Sequence, residues 1–297
     1  QENKHGYSDL CRPDGRSAHQ LRPLKITYDS FGYADSSVLF EIGNTKVLCC
    51  VTLQQGVPPF LRGKQTGWLS AEYAMLPTAT AMRKQRDNSI AKPNGRSVEI
   101  SRLIGRCLRS IVDVSCIGER TITVDCDVLQ ADGGTRTACI SGAYIALKRA
   151  VTCWVESGLI ASDVVILRDE IAAISVGVAG QNVLLDLDYA EDSTIDADFN
   201  FIMTKQGSLV EVQGTAEKQP ICAGKFQEVC AVATKGVSMI CAFFESAQQC
   251  TNSGAYVSAN DQDAYAIKVH AHEPKKHDAK TKAPLFSLQN RLQNYTE

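Results

Sequence analysis

The segment CDVLQADGGTRTACISGAYIAL, residues 126–147, passes from a strand-like alternation through two glycines, a threonine and an arginine into a helical pattern. Gly133 and Gly134 loosen the backbone, and Thr135, Arg136 and Thr137 stand where a helix begins. Such a junction collects N–H groups, hydroxyls and one fixed positive charge, the chemistry of an oxyanion cradle. A strand-to-helix turn with Arg136 in solvent is the plainer reading of the same spacing. The G-x-x-x-x-G-K-[ST] spacing of a nucleotide-cradling P-loop does not occur here.

PNGRSVEISRLIGRCLR, residues 93–109, repeats the design. Arg96 follows a glycine just before a helix start, with Ser97 as N-cap and Ile100 opening an apolar stripe. Taken singly, Arg96 is an exposed basic residue. Two arginines at two helix starts, each close behind a glycine, suggest a shared anion. A third feature is acidic: Glu191-Asp192 and Asp196-Ala-Asp198 crowd carboxylates between two strands. Like charges at short range raise one another's pKa or recruit a divalent cation, although surface loops are often acidic without either consequence. Carboxylates beside an anion cradle suggest phosphate-ester chemistry, the acids and Mg²⁺ handling bridging oxygens while arginines hold a phosphate. FLRGKQTGW and MRKQRD place Arg62, Lys64, Arg83, Lys84 and Arg86 in or beside loops. They read either as solvated charge or as contacts to an RNA backbone.

Other chemistries are narrowed by what the chain lacks. Its five histidines are His5, His19, His270, His272 and His277, so residues 20–269 hold none for a Ser-His-Asp or Cys-His arrangement. The 12 cysteines include no C-x-x-C pair and read as small, reduced core residues. Lys+Arg 31 against Asp+Glu 33 leaves a net charge of -2, so a polyanion has to be met by local basic patches. No charged-then-apolar leader begins the chain and no apolar run approaches the ~18 residues of a membrane helix, which predicts a soluble cytoplasmic protein with no membrane partner.

These residues need a frame. SVLFEIGNTKVLCCV (37–51) and AISVGVAGQNVLLDL (173–187) each read as strand, glycine turn, strand. Each is followed by a polar loop, a further strand (GWLSAEYAML and ADFNFIMT) and later a helix, so a duplicated β-rich unit is the economical reading. Helical periodicity covers 97–113, 137–157 and 225–249. The first has Ile100, Leu103, Ile104, Cys107, Leu108 and Ile111 on one face and Arg102, Arg106 and Arg109 in solvent opposite. TITVDCDVLQ alternates like a strand with one buried face. The order predicts a mixed α/β (α+β) domain with helices packed on sheet, 11–250, behind a short extension, 1–10. Residues 251–297 show no sustained period and read as a flexible tail, with His270 and His272 a solvated pair.

RPDGRSAHQLRPL, SVLFEIGNTKVLC, GVPPFLRGKQTGWLSAEYAMLP, GRSVEISRLIGRCLR, TVDCDVLQADGGTRTA, YAEDSTIDADFN and VEVQGTAE together resemble the ribonuclease PH family, from about residue 11 to 249. The resemblance implies a duplicated β-α unit of the ribosomal-protein-S5 domain-2 kind and a phosphate-dependent 3′ exoribonuclease that trims tRNA ends and other RNA. It implies that Arg96, Gly134, Thr135 and Arg136 bind the attacking phosphate. Asp192 and Asp198 then serve metal binding, Mg²⁺ or Mn²⁺, and general-acid assistance. It also implies a hexameric ring, a trimer of dimers. Relatives contact the tRNA stem through the basic segment after M-L-P; here Thr78 stands where they often carry arginine, and Arg83 and Arg86 remain. A non-catalytic RNA-binding ring subunit of an exosome-like assembly is the alternative, against which the retention of Arg96, Arg136, Asp192 and Asp198 weighs.

Overall fold

A computed structural model describes residues 12–86 and 94–249, together with the backbone of 255–260 and 266–271. Alternating apolar residues build the first sheet: β1 (Leu24–Tyr28), β2 (Ser36–Ile42), β3 (Thr45–Gln55), β4 (Trp68–Met75) and β5 (Arg120–Gln130). Val38, Phe40 and Ile42, Val47, Cys49 and Val51, and Ile122, Val124, Cys126 and Val128 point into the core, as the period-2 pattern requires. Gly43 takes the left-handed conformation that the tight β2–β3 turn needs. With β10 (Ala255–Asn260) and β11 (Ala266–Ala271) added, the strand order is β11-β10-β1-β2-β3-β5-β4, in which β4 runs parallel to β5 and each other neighbour is antiparallel.

Helix α1 (Gly95–Ile111) joins β4 to β5 and seals the outer edge of β4. Ser101 Oγ accepts from Tyr73 N at 2.9 Å and Arg109 donates to Leu69 O at 2.8 Å, covering backbone groups that an open edge would expose. Arg109 also lies 4.7 Å above the Trp68 ring. The expectation that Arg102, Arg106 and Arg109 form a solvated face therefore fails for Arg109, which works on the sheet edge. Arg102 and Arg106 stay exposed as expected, Arg106 pairing with Glu211 at the surface. Helix α1 begins two residues earlier than its periodicity suggests: Asn94, not Ser97, is the N-cap, its side chain accepting from Arg96 N at 3.1 Å.

The second sheet has the order β7-β6-β8-β9, built from β6 (Ile171–Ala179), β7 (Asn182–Leu185), β8 (Ala197–Thr204) and β9 (Leu209–Ala216). Helix α2 (Thr135–Glu156) lies between the sheets, packing on β2, β3 and β5 and against β6. Every residue from Thr135 to Leu147 is buried except Arg136, which is partly so. That replaces the one-sided stripe read from the sequence, because a helix between two sheets has no solvent face to keep polar. Beyond the end of β7, Ser141 Oγ accepts from Ala173 N at 3.0 Å and donates to Ala173 O at 3.3 Å, standing in for a missing strand along β6. One apolar core runs through both sheets.

Helix α4 (Ala223–Gln249) is long and apolar enough to cross a membrane, contrary to the apolar-run estimate. It packs on β6, β7 and β8 and buries Val229, Ala233, Val237, Ile240, Phe243 and Phe244, so it is a core helix of this fold. The stretch read as a tail contributes two strands, β10 (Ala255–Asn260) and β11 (Ala266–Ala271), and β10 extends the first sheet from β1. Short strands of mixed composition carry too little period to be recognised alone. The extension 1–10 with His5, and the rest of 251–297 with His272 and His277, lie outside the described residues.

The two halves meet at a buried cluster of guanidinium and carboxylate groups. Arg22 Nε and Nη2 donate to Asp186 at 3.0 and 2.8 Å, and its backbone N donates to the same carboxylate at 2.8 Å. Arg22 Nη1 donates to Asp132 O. Arg12 forks onto Glu191 at 2.6 and 2.5 Å and reaches the carbonyls of Leu185 and Asp186 at 2.8 and 2.9 Å. Arg16 adds a bond to Asp186 O at 2.9 Å. Burial alone would raise the Asp186 carboxyl, but the charge and hydrogen bonds of Arg22, with Arg16 behind them, outweigh it and hold the group below its ordinary 3.8. A depressed carboxylate contributes stability that is fully present above 3.8 and drains away as pH falls below that value. Asp186→Asn keeps the left-handed backbone at this position and strands Arg22, so unfolding in urea should lose about 3–5 kcal/mol at neutral pH. The variant should also lose this acid-sensitive part of the stability. A loss below about 1 kcal/mol would show that the pair does not hold the halves together.

Candidate active site

Gly133 and Gly134 both adopt positive φ, 74° and 64°, between the end of β5 and the start of α2. A Cβ on Gly133 would come within 2.6 Å of the Leu187 carbonyl oxygen and the Asp188 carbonyl carbon, so only glycine lets the first half touch the second here. Thr45 Oγ1 donates to Gly133 O at 2.8 Å and accepts from Asp132 N at 2.9 Å, fixing the turn from the β2–β3 hairpin. Gly134 takes the N-cap position of α2, and no side chain caps it among the described residues. The first N–H groups of a long buried helix therefore face the loop opening, with a positive end to the dipole. Tyr73 OH donates to Thr135 Oγ1 at 3.3 Å, which orients that hydroxyl. Burial pushes the Tyr73 phenol up to about 12 despite the nearby Arg96 and Arg136.

The acidic segment sorts into structural and open carboxylates. Asp188 and Glu191 form a capping box on the short helix α3 (Tyr189–Asp192), and Glu191 is buried under Arg12. Asp196 accepts from Lys218 Nζ and Gly180 N at 2.8 and 2.7 Å, tying a loop. Asp192 and Asp198 remain for chemistry. Asp192 ends α3 with an open face to solvent, and Asp198 lies on β8 beside Thr215 of β9. Partial burial raises Asp192; Glu217 raises it further, while Arg96 and Arg136 pull it down. Partial burial also raises Asp198, assisted by Asp192 and Glu217 and opposed by Arg136. Arg96 from α1, Arg136 from α2, Asp192 from α3 and Asp198 from β8 thus share one electrostatic neighbourhood, with Glu217 as a further carboxylate.

The expected residues are not all assembled. Arg83 and Arg86 stand exposed on the loop after β4, which is stitched to the cradle by Ala131 N donating to Ala79 O at 2.9 Å. Arg62 and Lys64 stand exposed on the loop before β4, held where Glu119 accepts from Gly63 N at 2.5 Å. That loop lies at the opposite end of β4 from the cradle, a strand length of roughly 25 Å away. A groove of about 740 Å³ opens along α1, β4 and β5, past Trp68, Ser101 and Arg109. Glu72, Asp125 and Asp127 line it together with Arg102 and Arg109, so its walls carry charge of both signs.

Sequence reasoning missed the side chains that brace Arg136. Gln213 Oε1 accepts from Arg136 Nη1 at 2.7 Å, and Gln213 Nε2 donates to Glu99 and Glu211, each at 3.3 Å. On β9, Glu211 and Gln213, two apart, share a face, but that alternation does not say which arginine they meet.

The arrangement can hold a tetrahedral oxyanion at α2 and face it with two carboxyl groups whose protons are shifted toward neutrality. Comparison with known proteins identifies the family. The model of the 3′ exoribonuclease family, domain 1, matches residues 20–152, and that of domain 2 matches residues 169–236. Ribonuclease PH of Neisseria meningitidis serogroup C is 50% identical over 222 residues, covering 75% of this chain and 91% of the relative, and that of serogroup A has the same values. Among solved structures, rice (Oryza sativa) Rrp46 superposes with a TM-score of 0.64 at 18% identity, covering 79% of this chain and 99% of the other. The Archaeoglobus fulgidus exosome with RNA bound to the active site gives 0.64 at 23% identity, covering 76% and 90%. With both domain models matched in order and half the residues shared with ribonuclease PH over three quarters of the chain, this protein belongs to the 3′ exoribonuclease family.

Proposed function

We propose how this phosphate-dependent 3′ exoribonuclease divides its labour, and that its RNA is the 3′ end of tRNA precursors and other transcripts. Orthophosphate sits at the start of α2, gripped by Arg96, Arg136, the Thr135 hydroxyl and the Gly134–Arg136 backbone. One of its oxygens attacks the phosphorus of the terminal nucleotide in line. A new P–O bond forms as the bond to the preceding nucleotide's 3′ oxygen breaks. The product is a nucleoside diphosphate, and because the anhydride keeps the bond energy the step is readily reversible. Arginines neutralise charge on the nonbridging oxygens. Asp198, raised by burial and by its acidic neighbours, supplies the proton to the leaving 3′ oxygen.

Asp192 and, in its ionised form, Asp198 suit Mg²⁺ or Mn²⁺: both are oxygen donors, and the Asp192 charge raises the cost of ionising Asp198, which a cation relieves. Among the described residues no group of three His, Cys, Asp or Glu is placed to hold a metal, which suits an ion completed by phosphate oxygens and water. When bound, such an ion would neutralise phosphoryl charge. Arg83 and Arg86 lie on the loop beside the cradle and are proposed to guide the RNA end, whereas Arg62 and Lys64 are proposed to meet RNA further from it. A hexameric ring, a trimer of dimers, is carried over from the family resemblance. The catalytic unit is proposed to span 11–250, and the cytoplasm is the proposed compartment, supported by buried thiols at Cys49, Cys107, Cys126, Cys139 and Cys241.

The observation that carries this reading is that Asp192, on the second half, stands in the field of both Arg96 and Arg136, on the first. Release of nucleoside diphosphate from a short RNA, measured against phosphate concentration, tests it. An assembled oligomer that binds RNA and releases none would support the scaffold reading instead. Arg136→Ala should lower kcat/KM for phosphate by at least about 10²-fold with the oligomer intact by light scattering. Activity within a few-fold of the parent in saturating phosphate would misplace the cradle. Asp198→Asn should lower kcat with RNA binding retained; lost binding would mark the residue as structural. Carbon-13 NMR of the carboxyl groups should find Asp192 and Asp198 titrating above 3.8. In Glu217→Gln both should move down, since a like charge is removed. Unmoved titrations would put Glu217 outside the site's field.

A further inference from the structure

The phosphate-gripping guanidinium is surrounded by more carboxylate than its task can tolerate. Glu99 Oε2 stands 3.9 Å from Arg136 Nη2, and Glu211 shares the face of β9 with Gln213, the residue Arg136 touches. Either acid, forked onto Arg136, would occupy its N–H groups and cancel the charge an incoming phosphate needs. Glu211 is occupied elsewhere, and Glu99 is tied by Gln213 at the outer limit of ion-pair distance from Arg136. Arg106 donates to Glu211 through Nε and Nη2 at 2.7 and 2.6 Å, a two-point bond. Gln213 Nε2 donates to Glu99 and Glu211 at 3.3 Å each, and Gln213 Oε1 takes Arg136 Nη1 at 2.7 Å.

A neutral amide can touch both the guanidinium and the two acids. A glutamine has an acceptor at one end for the guanidinium and donors at the other for the acids, so its orientation follows from its neighbours. It fixes the plane of Arg136 without neutralising it. We propose that Gln213 is a neutral positioning residue for Arg136 and that Arg106 guards the charge of that arginine by occupying Glu211. The chain Arg106–Glu211–Gln213–Arg136 then runs from α1 across β9 to the start of α2, and tunes affinity for inorganic phosphate separately from RNA. This rests on the reading of Arg136 as a phosphate ligand.

The test is steady-state phosphorolysis of a short RNA by the full chain, varying phosphate and RNA independently, with oligomer mass and melting temperature checked for each variant. Gln213→Glu should raise the KM for phosphate by about tenfold, more than Gln213→Ala does, with the KM for RNA unchanged. Arg106→Gln should raise the phosphate KM in the same direction by releasing Glu211. The double variant Arg106→Gln/Glu211→Gln should bring it back toward the parent, a rescue that a merely structural role for Arg106 does not predict. A phosphate KM within twofold of the parent in Gln213→Glu, or no recovery in the double variant, overturns the proposal while leaving the phosphate site standing. An unchanged phosphate KM in Arg136→Ala removes the phosphate site and this inference together.

Discussion

The Arg22–Asp186 pair is the contact on which the site depends. It sits where the first half's turn at 132–134 and the second half's segment at 185–191 press together, and it bonds both: Arg22 reaches Asp132 O on one side and the Asp186 carboxylate on the other. Two ions so deeply buried repay their desolvation only if nearly every donor and acceptor is matched. The cluster meets that condition through Arg12, Arg16, Glu191 and the carbonyls of Leu185 and Asp186. The same geometry presses the Gly133 backbone onto residues 187–188 and thereby sets Asp192 opposite the start of α2.

Much of this frame was legible in the sequence, for identifiable reasons. The hairpins β2–β3 and β6–β7 showed themselves because alternation and a glycine turn coincide, and ADFNFIMT is β8 from end to end. Helices α1, α2 and α4 followed from their apolar spacing, with their starts misjudged by two residues. The outward face of α1 was misread at one position: Arg109, spent on the edge of β4, looks solvated to any periodicity argument. Strands β9, β10 and β11 escaped because their composition is mixed and their burial is set by partners distant in sequence.

The site was legible in its residue types and less so in its partition. Glycine followed by Thr135 and Arg136 is what suggested the proposed anion cradle, and the crowded acids are what suggested carboxylate chemistry. Which acids serve the fold is decided by contacts no local pattern encodes. Glu191 and Asp192 are adjacent, yet one turns inward to Arg12 and the other toward Arg96 and Arg136, because consecutive helical residues point about 100° apart. Gln213 was invisible for a related reason: an amide on a strand announces nothing until the arginine it touches is known.

The near-complete enclosure of α2 has a further effect. A helix start that protrudes into solvent can fray and reshape itself around whatever lands on it. This one is wedged between two sheets as far as Leu147, so its opening behaves as a rigid gauge. For the phosphate site proposed there, discrimination among oxyanions by size becomes a property of the hydrophobic interior, and a methyl group lost deep beneath Thr135 would alter which anion fits without touching a single polar atom.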